Sequence, residues 1–138
     1  MARLLALLFS MSVFVTNAWT KGMDSYEVYL NGKLLKREIV TKSFDLNSIR
    51  LDKSNINDNL VIYYHQCHGV PGTNRSITVR DGNGKTIKEW KFADEGKDNA
   101  GMSIPVKDIL QLQKGASRQY VFVYTTGDRP QGQVLASL

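Results

Sequence analysis

The chain has 138 residues, one cysteine, two histidines and a formal charge of +5. That length suits one ordinary domain that buries a sufficient core without staples, and a lone cysteine excludes an internal disulfide. Lysines such as Lys33, Lys36, Lys85, Lys88 and Lys91 are interleaved with Glu38, Asp81 and Glu89, whereas a nucleic-acid binder gathers its cations on one face, so no nucleic-acid partner is expected.

The chain opens "MARLLALLFSMSVFVTNAWTKG". Arg3 is a minimal basic n-region, Leu4 to Val15 is an almost unbroken apolar run, and Thr16-Asn17-Ala18 supplies the small residues of a cleavage site. Residues 1–18 therefore read as a signal peptide and residues 19–138 as a single mature domain. The alternative, an uncleaved anchor, would need roughly 20 apolar residues, more than this run holds. Cys67 lies too far downstream for a lipoprotein anchor, and no later stretch can cross a bilayer once the leader is removed. The expected location is secreted or periplasmic.

The elements that follow are short and extended. "SYEVYLNGKLLKREIV" is a hairpin about Asn31-Gly32, a pair suited to a type I′ turn. Tyr26, Val28 and Leu30 share one face of its first arm, Glu27 and Tyr29 the other. In "SFDLNSIRLDKSNINDN", Phe44, Leu46, Ile49 and Leu51 are expected to reach the core before a polar loop from Asp52 to Asn59. "LVIYYHQCH" is apolar on both faces at its start, the pattern of a central strand covered on two sides. "RSITVRDGNGKTIKEWKFA" is a second hairpin, whose change of apolar face points to a bulge near Gly82-Asn83-Gly84. "MSIPVKDILQLQKG" starts extended and predicts a helical turn from Asp108 to Gln113. "RQYVFVYTTG" and "GQVLASL" complete the set. Seven or eight short strands predict an all-β fold, a single antiparallel β-sandwich, with a small β-barrel as the alternative.

"HQCH" concentrates the chemistry. On a strand, His65 and Cys67 share a face, and the Gly69–Gly72 loop offers a way to bring back His68. Imidazole and thiolate suit zinc or Cu(I), so these three residues are the candidate ligands of a copper or zinc site. No further histidine or cysteine exists to complete it, and the competing reading is a small buried thiol beside strand-end histidines, with no cofactor. A nucleophilic Cys67 is disfavoured because same-face neighbours on a strand stand about 6–7 Å apart, too far for direct proton transfer to His65. "DGNGKT" lacks the ligand positions of a calcium loop and reads as a turn. Asn74-Arg75-Ser76 matches a glycosylation sequon, a short motif that arises often by chance. Among the aromatics, Tyr29, Tyr63, Trp90, Tyr120 and Tyr124 are candidates for a sugar-stacking platform, with Trp90 the first suspect. No catalytic residues can be assigned.

The leader, "YEVYLNGKLL", "LVIYYHQC", "KEWKFAD" and "SIPVKDIL" together resemble small exported all-β bacterial proteins of uncharacterised function. The resemblance implies a bacterial origin and no particular activity. The expectation is an exported, non-catalytic binding or structural module that works through its strand edges and outer face on a protein or glycan partner. The alternative is the soft-metal protein.

Overall fold

The computed structural model describes residues 22–67, 69–96, 100–115 and 119–138; the leader and His68 lie outside these described residues. In chain order the elements are β1 (Ser25–Leu30), β2 (Lys33–Ile39), β3 (Phe44–Asp45), β4 (Asn59–His65), β5 (Ser76–Arg80), β6 (Thr86–Lys91), β7 (Met102–Pro105), the helix α1 (Val106–Gln113), β8 (Val121–Thr125) and β9 (Gln133–Ser137). Two sheets result, ordered β2-β1-β4-β7 and β3-β9-β8-β5-β6, and neither closes on itself. The fold is an all-β sandwich, with a barrel ruled out. Its strand count exceeds expectation partly because the two-residue β3, too short to stand out in a polar stretch, pairs with β9, and in parallel rather than antiparallel fashion. No helix among the described residues is long and apolar enough to cross a membrane.

Local chemistry explains each turn. Asn31 and Gly32 both take positive φ, 51° and 75°, as the β1–β2 hairpin requires. The predicted bulge in the second hairpin is present: the β5–β6 register shifts between Val79 and Arg80. Beyond it Lys88 and Trp90 stand opposite the buried Val79 and Ile77, and Ile87 is turned outward and exposed. The helix starts at Val106, two residues earlier than expected. Asp108 in its first turn complements the positive end of the helix, while Val106 and Ile109 are buried against the sandwich.

Alternation along the strands builds one core between the sheets. Tyr26, Val28, Leu60, Ile62, Tyr64, Met102 and Ile104 come from the four-stranded sheet, and Ile77, Val79, Phe122, Tyr124 and Leu135 from the other. Phe44 and Leu46 are buried with them, and Ile49 and Leu51 pack at the margin, as expected. β4 departs from expectation. It is central, between β1 and β7, but its outward Val61 and Tyr63 stay half-exposed, so one of its apolar faces is open rather than covered by a second layer.

Four of the core side chains are tyrosines, Tyr26, Tyr64, Tyr120 and Tyr124, each carrying a hydroxyl that burial makes costly to leave unbonded. The Tyr26 hydroxyl lies 2.7 Å from the Leu135 carbonyl of β9 and 3.0 Å from that of Lys42, and so ties the two sheets together. The Tyr64 hydroxyl donates to Asp24 Oδ2 at 2.8 Å. Asp24 also accepts from Arg129 Nη1 at 2.7 Å and from the Cys67 backbone N–H at 2.9 Å, which joins the segment before β1, the end of β4 and the β8–β9 connection. Burial opposes ionisation of Asp24, but these three donors outweigh it and hold the carboxyl below its ordinary value of 3.8. The Tyr124 hydroxyl is enclosed beside Gly72, with the Gln66 side chain as its polar neighbour.

Burial, assisted by the charge of Glu38, pushes the Tyr26 phenol from 10.0 up to about 12. An unfolded chain releases that proton near 10 and the folded chain near 12, so the stability contributed by Tyr26 is intact below pH 10 and lost as pH rises toward 12. Tyr26→Phe should cost about 1–2 kcal/mol at neutral pH through the unpaired carbonyl. It should also make the alkaline loss of stability shallower, as measured by denaturant unfolding across that range. An unchanged alkaline limb would contradict the assignment.

Candidate functional site

The open face of the four-stranded sheet carries the most developed surface constellation. The pairing of β1 with β4 sets Glu27 opposite Tyr63 and Tyr29 opposite Val61. Because Tyr26, Val28, Ile62 and Tyr64 point inward, these four point outward together. The rings of Tyr29 and Tyr63 meet edge to face, with centroids 5.4 Å apart and planes at 81°, the geometry that aromatic quadrupoles prefer. With Glu27, Gly32 and Val61 they line a hollow of 340 Å³, at the small end of the range for ligand pockets.

Two glycines shape it. Gly32 has nothing within 4 Å of where a Cβ would stand, which leaves the turn end open. At Gly101 a Cβ would fall 2.5 Å from Val61 Cγ1 and 2.9 Å from Tyr63 Cζ, so the tyrosine ring lies directly against the backbone there.

Glu27 is fixed from three sides. Arg37 Nε donates to Oε1 at 2.6 Å and Arg37 Nη2 pairs with the same oxygen. The Tyr29 hydroxyl donates to Oε2 at 3.2 Å, and His65 Nε2 stands 3.4 Å from it. The Arg37 guanidinium holds the Glu27 carboxyl below its ordinary 4.5, with His65 and Tyr29 adding to the effect. The result is an ionised, pre-oriented acceptor beside two aromatic walls. The Tyr63 hydroxyl has no hydrogen-bond partner among the described residues.

The residues singled out from sequence are dispersed. β4 ends at His65, which turns to Glu27. Cys67 has already left the strand; it is exposed, its N–H bound by Asp24 and its thiol resting against Gly22. The shared face expected for His65 and Cys67 thus ends with the strand. His68 lies outside the described residues. Among those residues no group of three or more histidine, cysteine or carboxylate side chains is arranged to hold a metal. Asn74 is exposed with φ 48°.

Of the five aromatic candidates, the structure brings together only Tyr29 and Tyr63. Tyr120 and Tyr124 are buried. Trp90 is half-buried, stacked on Phe122 with centroids 6.1 Å apart. Its Nε1 donates to Asp108 Oδ2 at 3.1 Å, and Lys88 bridges to that carboxylate at 3.0 Å while lying 5.4 Å from the indole centroid. The indole is occupied in fastening α1 to the edge of the sandwich.

A second hollow, of 540 Å³, lies at one end of the five-stranded sheet. Its polar lining is largely self-paired: Ser76 Oγ with Thr125 Oγ1 at 2.6 Å, and Asn74 N–H with Asp94 at 2.7 Å. The buried Arg75 beside it donates to the Ala93 and Ala100 carbonyls and pins the β6–β7 connection. Compared with known protein families, curated proteins and solved structures, the chain finds no match.

Because its pKa is depressed, Glu27 keeps Arg37 and Tyr29 in place as pH falls through 4.5, and releases them only below it. The Glu27 side-chain carboxyl resonance should therefore have its titration midpoint below 4.5. A midpoint at or above 4.5 would contradict the paired carboxylate.

Proposed function

We propose that the protein is an exported, non-catalytic binding module that holds its partner on the outer face of the four-stranded sheet. The observation that carries this reading is the Tyr29–Tyr63 corner, an aromatic hollow with a fixed carboxylate on an otherwise uncovered central strand. Large, stiff aromatic side chains contribute contact area at small entropic cost, which is why they anchor recognition surfaces. Export is supported by the leader pattern of residues 1–18. Nothing among the described residues points to catalysis.

Strand edges are the competing route to a partner, and each edge among the described residues is blunted. β2 carries Lys33, Lys36 and Arg37, and the β1–β2 register shifts between Val28 and Tyr29. β6 carries Lys88 and Lys91 and the second bulge. β7 has four residues and ends in Pro105, and β3 has two. Lysines, bulges, prolines and shortness are the devices that stop an edge from pairing with another chain. The face is therefore favoured over the edges.

The copper or zinc reading gains nothing from this arrangement, since His65 is turned to Glu27 and Cys67 to the Asp24 segment. Amide shift mapping of the mature domain against pools of oligosaccharides and proline-rich peptides tests the proposal. Binding should perturb Glu27, Tyr29, Val61 and Tyr63 and should vanish in Tyr63→Ala, whose fold, read by circular dichroism, should be retained. Perturbations confined to β2 or β6 would refute the face.

A further inference from the structure

We infer that the Tyr29–Tyr63 hollow takes an uncharged sugar ring of a glycan chain. The inference rests on the reading that this face is a binding surface, and it names the chemistry of the occupant. Three ligand classes suit aromatic walls: a quaternary ammonium, a proline ring and a pyranose. Charge separates the first from the others. A cation is drawn to the faces of aromatic rings and is repelled by a neighbouring positive charge. Here the Glu27 carboxylate is already engaged by the Arg37 guanidinium, with His65 beside it, so a cation would have to displace Arg37 and lie next to it. An anionic ligand would meet the ionised Glu27, and among the described residues that line the hollow there is no cation to receive it. The hollow is electrically balanced, and that balance selects a neutral ligand.

Hydrogen bonding separates the remaining two. A proline ring offers no donor and needs only ring faces. This hollow instead sets polar groups around its aromatic walls: the Glu27 carboxylate as an acceptor fixed by three partners, and the unpartnered Tyr63 hydroxyl as both donor and acceptor. A pyranose matches both features at once, with its C–H face on a tyrosine ring and its equatorial hydroxyls at the rim. Groups already held in place spare the ordering cost of binding. Gly101 contributes to this by letting the Tyr63 ring come close to the backbone, and Gly32 leaves the turn end clear for the chain to continue.

The test is titration of the mature domain, by calorimetry, with neutral cello-, chito-, malto- and xylo-oligosaccharides. Oligogalacturonate, tetramethylammonium and a proline-rich peptide are the comparison probes. At least one neutral series should bind. Tyr63→Ala should weaken it by about tenfold or more, the equivalent of one lost ring contact. Tyr63→Phe, which keeps the ring and removes the hydroxyl, should weaken it only about two- to threefold, as for one exposed hydrogen bond. Gly101→Ala should fall between them, and Lys91→Ala, at the other hollow, should leave affinity unchanged. If only the peptide or tetramethylammonium binds, and does so through Tyr63, the sugar inference falls while the face reading survives. If a neutral glycan binds equally well to Tyr63→Ala, both fall. If no neutral series binds, the sugar inference is overturned.

Discussion

The arrangement depends on one pair of interactions: Tyr26 and Tyr64, two phenols placed between the sheets, each reach an acceptor that fixes their strand. An unbonded buried hydroxyl costs about 1–3 kcal/mol, a large share of the margin by which a domain is stable. Tyr26 meets this at the Leu135 carbonyl on the opposite sheet, and Tyr64 meets it at Asp24 near the rim. Each solution allows only one register. A slip of β1 or β4 by one residue would turn these tyrosines to solvent and drive Glu27, Tyr29 and Tyr63 into the core. The surface hollow is thus the reverse side of the core: the residues outside are those left over once the inward tyrosines are bonded.

That dependence also explains how the candidate site is held. Asp24 gathers the segment before β1, the end of β4 and the β8–β9 connection into one network. The network braces the two strands that carry Tyr29 and Tyr63. Glu27 then locks the outer face from β2 through Arg37. Inner and outer layers of polar contacts therefore fix the same pair of strands, and rings on a braced sheet are better placed than rings on loops. The lysines and bulges of β2 and β6 add a second consequence. With its edges blunted in this way, the molecule is protected from indefinite strand addition.

Much of the fold was legible because its signals were local. Asn31-Gly32, the Gly82–Gly84 turn and the alternation of Tyr26, Val28 and Leu30 each speak through neighbours in sequence. β3 was not legible, since two residues carry no period and their pairing with β9 is long-range. The start of α1 was misjudged because Pro105 and Val106 continue the extended pattern of β7 until Asp108. As for the site, "LVIYY" announced an apolar second face on β4, but sequence cannot say whether such a face is roofed. It is open, and that openness is what makes Tyr63 available. Trp90 and the His-Cys cluster stand out in the sequence while their surroundings do not, for a related reason. Residue identity was visible, whereas the stacking of Trp90 on Phe122 and the turn of His65 to Glu27 depend on partners far along the chain.

The most direct measurement of the central claim is a set of through-space proton contacts in the protein, recorded by nuclear magnetic resonance with no ligand present. The account predicts contacts between the Tyr29 and Tyr63 rings, contacts from Tyr26 to Leu135, and a Tyr26 hydroxyl proton that exchanges slowly with water. Contacts from the Tyr63 ring to Leu135 or Phe122, with Tyr26 open to solvent, would show the opposite register and contradict it.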